Sequence, residues 1–126
     1  LDVTDWSQVA ATVEQTVHHS AFVVIATKIP PAGMETEFTD ALSRLTERHT
    51  VLVASATDPD ELRARRGRAD AEEVFLAASA ALSQRADEAG AADVRLAGAL
   101  TLQASADLLP ARTADRYIEL KKSGRL

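Results

Sequence analysis

The sequence contains no cysteine, which excludes disulfides, thiolate metal sites and a cysteine nucleophile. Aromatic residues make up only 4% of the chain, too few for the stacking platforms that bind single-stranded nucleic acid. The 14 basic residues are outnumbered by 19 acidic ones, and the net charge of -5 opposes attraction to nucleic acid or to an anionic membrane. We therefore expect no nucleic-acid partner and no membrane contact by this chain.

Long apolar runs and catalytic signatures are also missing. The longest apolar run, Ala21 to Ala26, is far shorter than a membrane span, and the opening residues lack the features of a signal peptide. The glycines are isolated from one another, so there is no phosphate-binding loop, and no Gly-x-Ser-x-Gly elbow occurs. These absences argue against a nucleotide-dependent enzyme or a hydrolase, and we expect a cytoplasmic location for this chain. The chain begins at Leu1 rather than at a methionine, and we expect it to be a piece of a longer protein.

What remains is the composition of a globular domain, with 46% hydrophobic and 26% charged residues. Apolar residues recur at helical spacing in four segments, and three shorter apolar segments between them are typical of strands. Thr4 and Ser105 are the expected N-caps of the first and last helices, and Gly90 is the expected C-cap of the third. The predicted helices run from about Asp5 to His19, Met34 to Leu45, Asp70 to Ala89 and Ser105 to Gly124, and the predicted strands are Ala21 to Thr27, Val51 to Ala56 and Ala92 to Ala97.

The alternation of helices and strands predicts an α/β fold, a three-layer sandwich with a mostly parallel sheet, in which residues 1–126 form a single unit. The strands at Ala21 to Thr27 and Val51 to Ala56 have no polar face, so we expect helices to cover both of their faces. The shorter, alternating segment Ala92 to Ala97 is expected nearer the sheet edge. The first strand is too apolar for an exposed edge, which predicts a neighbouring strand from outside this chain.

The C-terminal segment from Ala114 to Leu126, with its Tyr-Ile-Glu-Leu-Lys run followed by Gly-Arg-Leu, resembles the closing signature of the bacterial family called domain of unknown function 58. The order of elements before it is similar as well. Thr27 ends the first strand, Arg48-His49 ends the second helix, and Asp58-Pro59 follows the second strand, as in that family. The resemblance covers essentially the whole chain.

The resemblance implies the C-terminal half of a von Willebrand factor A-like doubly wound fold, whose first strands would precede Leu1. It also implies an adaptor that works beside an AAA+ ATPase of the MoxR type. The parent protein would be anchored in a membrane through N-terminal helices that this chain does not contain. On this basis we expect a protein-interaction module with a MoxR-type ATPase as its partner.

A ligand site in such a fold would lie at the carboxyl ends of the strands, where Thr27, Thr57 and Asp58 are the candidate residues. These three residues leave open the alternative that the chain is a metal- or phosphate-dependent ligand binder or enzyme. Asp58 precedes a proline, however, and is more typical of a turn. Lys28 stands where the family often has aspartate, so we expect no cofactor. Magnesium would bind only if residues upstream of this chain supplied ligands.

The three histidines, His18, His19 and His49, favour a structural role. His18 and His19 are adjacent at a helix end, so their side chains diverge, and His49 precedes a strand at the opposite end of the sheet from the candidate site. A favourable interaction with helix C-terminal dipoles accounts for all three positions.

Two further expectations concern packing. Tyr117 should bury its ring against the sheet, and its truncation to alanine should then cost roughly 3 kcal/mol. If the strand at Ala21 to Thr27 lacks a neighbour, the isolated chain should form a two-fold homodimer over that edge. The competing possibility is that the first helix folds over the edge and keeps the chain monomeric.

Overall fold

The computed structural model describes residues 4–30, 36–57, 85 and 88–126. Most of the predicted helix from Asp70 to Ala89, and the charged segment before it, lie outside the described residues. The described elements, in chain order, are α1 (Trp6–Thr16), β1 (Phe22–Ala26), α2 (Thr36–Thr46), β2 (Thr50–Thr57), the helical residues 88–96, called α3, then β3 (Leu100–Ser105) and α4 (Leu109–Lys122).

The three strands form one parallel sheet with β2 in the centre. Val24 of β1 lies opposite Leu52 of β2, which in turn lies opposite Leu100 of β3. The α/β class and the parallel sheet are therefore as predicted. Neighbouring parallel strands need a long connection between them. Helix α2 lies in the connection from β1 to β2, and α3 lies in the connection from β2 to β3.

The central strand β2 is buried on both faces, as its unbroken apolar sequence predicts. Val51 and Val53 belong to the core cluster on the side of α1, α2 and α3. Leu52 and Ala54 alternate with them and face the opposite side, where α4 packs on β2 and β3. Helices on both faces of the sheet are compatible with a three-layer sandwich.

The core on the first side is organised by α1 and α2. The Trp6 ring of α1 lies 4.6 Å from the Phe38 ring of α2, centroid to centroid, in a tilted arrangement that aromatic pairs prefer. The buried residues of α2 recur at the spacing of one helix face, as predicted; Met34 lies outside the described residues. These buried residues are Phe38, Ala41, Leu42 and Leu45.

The N-cap of α1 is one residue later than predicted. Asp5, not Thr4, caps the helix, because its carboxylate accepts a hydrogen bond of 3.0 Å from the backbone N–H of Gln8. That bond satisfies one of the amides that the first helical turn leaves without a partner. The helix ends at Thr16 rather than near His19.

The prediction of a strand at Ala92 to Ala97 is wrong. These residues continue α3 as far as Leu96, and Gly90 lies inside the helix instead of capping it. The apolar-polar alternation there also fits a helix, in which Ala91 and Val94 are buried three residues apart while Leu96 is 85% exposed. Gly98 ends this segment in the left-handed region, with a φ of 100°. The third strand follows it as β3.

The last helix also differs from its prediction. Ser105 is the final residue of β3, and α4 begins at Leu109 without a side-chain cap, with Pro110 in its first turn. Leu120 is the buried residue of this helix, whereas Tyr117 is 41% exposed, so the expected burial of its ring is wrong. The tyrosine ring instead lies beside Phe22, with ring centroids 5.6 Å apart.

Strand β1 is less buried than its sequence predicts. Val23 and Ile25 pack against the core cluster, but on the other face Val24 is 42% exposed and Ala26 is also exposed. Both faces of β1 are therefore covered only in part, and the face of Val24 and Ala26 is the more exposed. Among the described residues β1 is an edge strand, with β2 as its neighbour.

Candidate functional site

The candidate residues predicted at the carboxyl ends of the strands are found there where the structure describes them. Thr27 directly follows β1, and its N–H donates a hydrogen bond of 3.0 Å to the carbonyl of Ala54. Thr57 is the last residue of β2 and lies opposite Ser105 of β3. Asp58 lies outside the described residues.

Thr27 and Thr57 both lie at the carboxyl end of the sheet, but they are not opposite each other in the strand register. The register pairs Ala26 with Ala54, so its continuation places Thr27 beside Ser55. Thr57 is two residues further along, a displacement of roughly 7 Å along the strand. Both threonines alternate with the residues that face α4, so they lie on the side of the sheet that α1 and α2 cover.

The sequence reasoning missed three polar residues at this end of the sheet. Ser55 is buried, although it lies in an otherwise apolar strand. Ser105 donates a hydrogen bond to the exposed carboxylate of Asp107, which is the main cause that lowers the pKa of Asp107 below its ordinary value. A Ser-x-Asp sequence at the end of a strand is a recognisable signal, but the apolar pattern predicts the third strand at Ala92 to Ala97, too early in the chain for Ser105 to end it.

Most of the described polar side chains at the carboxyl end of the sheet carry hydroxyl groups. Asp107 adds one carboxylate, and the exposed Lys28 adds a positive charge beside Thr27. Magnesium in proteins is held through carboxylates, phosphates and water. No group of three or more acidic or histidine side chains suited to a metal occurs within the described part of the chain. Hydroxyls and one carboxylate can hydrogen-bond a polar ligand, but they do not by themselves fit a magnesium ion.

A second feature at this end of the sheet is an apolar groove of about 290 Å³, called here the β1–α4 groove. It lies between the partly exposed face of β1 and the first turns of α4. Its lining is apolar apart from one threonine, so it favours apolar side chains over charged groups. The groove is lined by Val24, Ala26, Ala54, Ala106, Leu109, Pro110 and Thr113.

The backbone of β1 adjoins this groove with an unpaired edge. The carbonyl of Ala21 accepts a hydrogen bond from Thr50, and the N–H of Thr27 donates to Ala54, each at 3.0 Å. Peptide groups alternate between the two sides of a strand, so these odd-numbered positions face β2. The N–H and C=O groups of the even-numbered residues 22, 24 and 26 therefore point away from β2. No strand of the described chain pairs with them.

The histidines lie at the opposite, amino end of the sheet, as predicted. His18 and His19 are exposed residues that follow α1. His49 is buried between α2 and β2, and its Nδ1 accepts a hydrogen bond of 3.0 Å from the backbone N–H of Ala21. That bond connects the starts of β1 and β2, which is a structural role.

Comparisons with protein-family models, curated proteins and solved structures found no match to this chain. In the described residues there is no helix with both the length and the apolar character needed to cross a bilayer.

Proposed function

We propose that this chain is a protein-interaction module whose docking surface is the open edge of β1 together with the β1–α4 groove. The proposal rests on one observation: the same strand, β1, has a backbone edge that pairs with no described strand and a face that lines an apolar groove. Residues 22, 24 and 26 present unpaired backbone groups, and two of them, Val24 and Ala26, also line the apolar groove.

In the part of the chain that the structure describes, β1 lacks three of the features by which natural proteins protect edge strands. Phe22–Ala26 contains no charge and no proline, and its regular parallel register with β2 is not interrupted by a bulge. A partner strand would form main-chain hydrogen bonds with residues 22, 24 and 26. Its alternate side chains would enter the groove, which is the usual arrangement when a strand is added to a sheet.

The class of partner rests on the resemblance of the C-terminal segment, Ala114 to Leu126, to the domain of unknown function 58 family. On that basis the chain is the C-terminal half of a von Willebrand factor A-like domain and serves as an adaptor. The partner is an AAA+ ATPase of the MoxR type. The open edge of β1 supports this proposal, since an adaptor needs an uncovered surface.

The test is binding of this chain to the purified MoxR-type ATPase of its source organism, measured by biolayer interferometry. Val24→Lys places a positive charge on the side of β1 that faces the groove. We expect this variant to bind the ATPase at least about tenfold more weakly, because the apolar contact of Val24 is lost and the lysine ammonium would have to leave water. Leu96→Lys is the matched control. Leu96 is 85% exposed on α3, away from this surface, so its substitution should leave binding unchanged.

Equal binding by the wild type and Val24→Lys would refute the proposed surface. Absence of binding by the wild-type chain would refute the partner class. The alternative of a ligand binder or enzyme at Thr27, Thr57 and Asp58 predicts instead that thermal stability rises with Mg²⁺, Mn²⁺ or nucleotides, by mass action on the folded state.

A further inference from the structure

A cavity of about 500 Å³ opens at the amino end of the sheet, between the starts of β1 and β2 and the end of α4. It lies at the opposite end of the sheet from Thr27 and Thr57, and it is separate from the β1–α4 groove. Its chemistry differs from that of the groove, because charged and polar side chains form much of its lining. The side chains that give it this character are Arg48, His49, Lys121, Arg125 and Tyr117.

His49 lines the cavity and carries a buried donor for which the described residues offer no acceptor. His49 is only 6% exposed, and its Nδ1 accepts the hydrogen bond from Ala21. The proton of the neutral ring is therefore on Nε2, which is a hydrogen-bond donor. No described residue accepts a hydrogen bond from Nε2. A buried N–H without an acceptor is costly, so an acceptor in the cavity is favoured.

Three cationic side chains line the cavity, together with groups of negative charge. Arg48, Lys121 and Arg125 contribute three cations, against two carboxylates, those of Glu47 and of the C-terminal Leu126. The Arg48 guanidinium donates to the carbonyl of His18, and the Lys121 ammonium lies 6.0 Å from the centre of the Tyr117 ring. The C-terminal ends of α2 and α4 add roughly half a negative charge each, so attraction of an anion depends on direct contact with the three cations rather than on an excess of positive charge.

We propose that this cavity binds the phosphate group of a small organic phosphate. The His49 Nε2–H supplies a fixed donor, and the surrounding cations supply charge-assisted hydrogen bonds, which are the stronger kind. The adjacent rings of Phe22 and Tyr117 supply apolar surface for the organic part of the ligand. A cavity of this volume lies within the usual range for small-molecule sites.

The test is an NMR titration of the chain with inorganic phosphate and with phenyl phosphate at constant ionic strength. We expect saturable shifts at residues 20–22, 47–50 and 117–126, and tighter binding of phenyl phosphate than of inorganic phosphate. A chain extended by Gly-Ser after Leu126 is titrated in parallel, since it moves the terminal carboxylate away from these cations.

Two variants of His49 separate its roles. His49→Asn keeps an acceptor near the position of Nδ1 for the Ala21 amide but removes the Nε2 donor, so it should fold and bind phosphate at least about tenfold more weakly. His49→Gln keeps a donor near Nε2 but loses the acceptor. It should be less stable than His49→Asn and yet bind phosphate more tightly than that variant.

Two lysines of α4 provide a matched pair. Lys121 lines the cavity and Lys122 does not. Lys121→Gln should weaken phosphate binding several-fold, whereas Lys122→Gln should change it less than about twofold, the residual effect of a screened surface charge. The proposal is overturned if shifts do not saturate up to about 20 mM phosphate. Equal affinities of wild type and His49→Asn, or equal effects of the two lysine variants, would overturn it as well.

Discussion

Gly90 lies where α3 packs directly against Ile29 and Pro30, in the segment that follows β1. A Cβ built at this position would clash with the backbone carbonyl oxygen of Pro30, far inside van der Waals contact. Helix propensity alone predicts that Gly90→Ala would stabilise the protein by about 1 kcal/mol. The contact involves backbone rather than a flexible side chain, so α3 would have to move.

We therefore expect Gly90→Ala to destabilise the protein by roughly 1–3 kcal/mol, the usual cost of overpacking. Urea unfolding followed by circular dichroism measures this change through the shift in midpoint. A higher midpoint for the variant would show that the helix moves away from Pro30 without cost.

Asp107 provides a prediction about pH. The hydrogen bond from Ser105 lowers the pKa of Asp107, because it favours the carboxylate over the carboxylic acid. A lowered folded-state pKa means that the stabilisation is present at neutral pH and is lost as the pH falls through the acid range below about 4. Ser105→Ala should raise the pKa of Asp107 towards its ordinary value, which an NMR titration of its side-chain carboxyl carbon measures. An unchanged titration midpoint would exclude Ser105 as the cause.

At the scale of elements, α4 is held to the sheet by fewer buried residues than its sequence predicts. Leu120 is buried, while Tyr117 and Ile118 are 41% and 48% exposed. Tyr117 retains its contact with Phe22, and such ring pairs contribute about 0.5–1.5 kcal/mol. We expect Tyr117→Ala to cost about 1 kcal/mol, and Leu120→Ala to cost about 2–5 kcal/mol, the range for buried leucines.

Thermal or urea unfolding of the two variants provides the comparison. An effect of Tyr117→Ala as large as that of Leu120→Ala would mean that the tyrosine ring is covered in solution, for example by a second chain. Leu96→Ala serves as a control, because an exposed leucine on α3 should change stability by less than about half a kcal/mol.

For the whole molecule, the open edge of β1 predicts self-association of the isolated chain. Unpaired strand edges next to apolar surface favour pairing with a second copy, and two-fold dimers are the commonest closed assembly. The competing arrangement, in which α1 covers the edge, is not what the structure shows: α1 packs against α2, with Trp6 on Phe38. Sedimentation velocity at micromolar concentration should therefore detect a dimer that Val24→Lys disrupts and Leu96→Lys does not.

Hydrogen exchange adds a residue-level readout of the same prediction. In the monomeric Val24→Lys variant, amides at residues 22, 24 and 26 should exchange faster than those of Val23 and Ile25, which face β2. In the wild-type dimer the two sets should be protected alike. A wild-type monomer with slow exchange at all five amides would contradict the open edge.

The sequence by itself determined the α/β class, the parallel central strand and the inner face of α2. These features depend on local patterns: an unbroken apolar run for β2, and helical spacing of Phe38, Ala41, Leu42 and Leu45. It also placed Thr27 and Thr57 at the carboxyl end of the sheet, because parallel strands end at the same edge.

Only the tertiary structure decided where β3 begins, which residues of α4 are buried and what surrounds His49. Residues 92–97 alternate in a way that fits either a strand or a helix, and the close approach of Gly90 to Pro30 is a contact between segments sixty residues apart. The cavity beside His49 is likewise assembled from segments that are distant in the sequence, including the end of α2 and the end of α4. The spacing of apolar residues shows which face of a helix or strand is apolar, but it does not show which other segment of the chain covers that face.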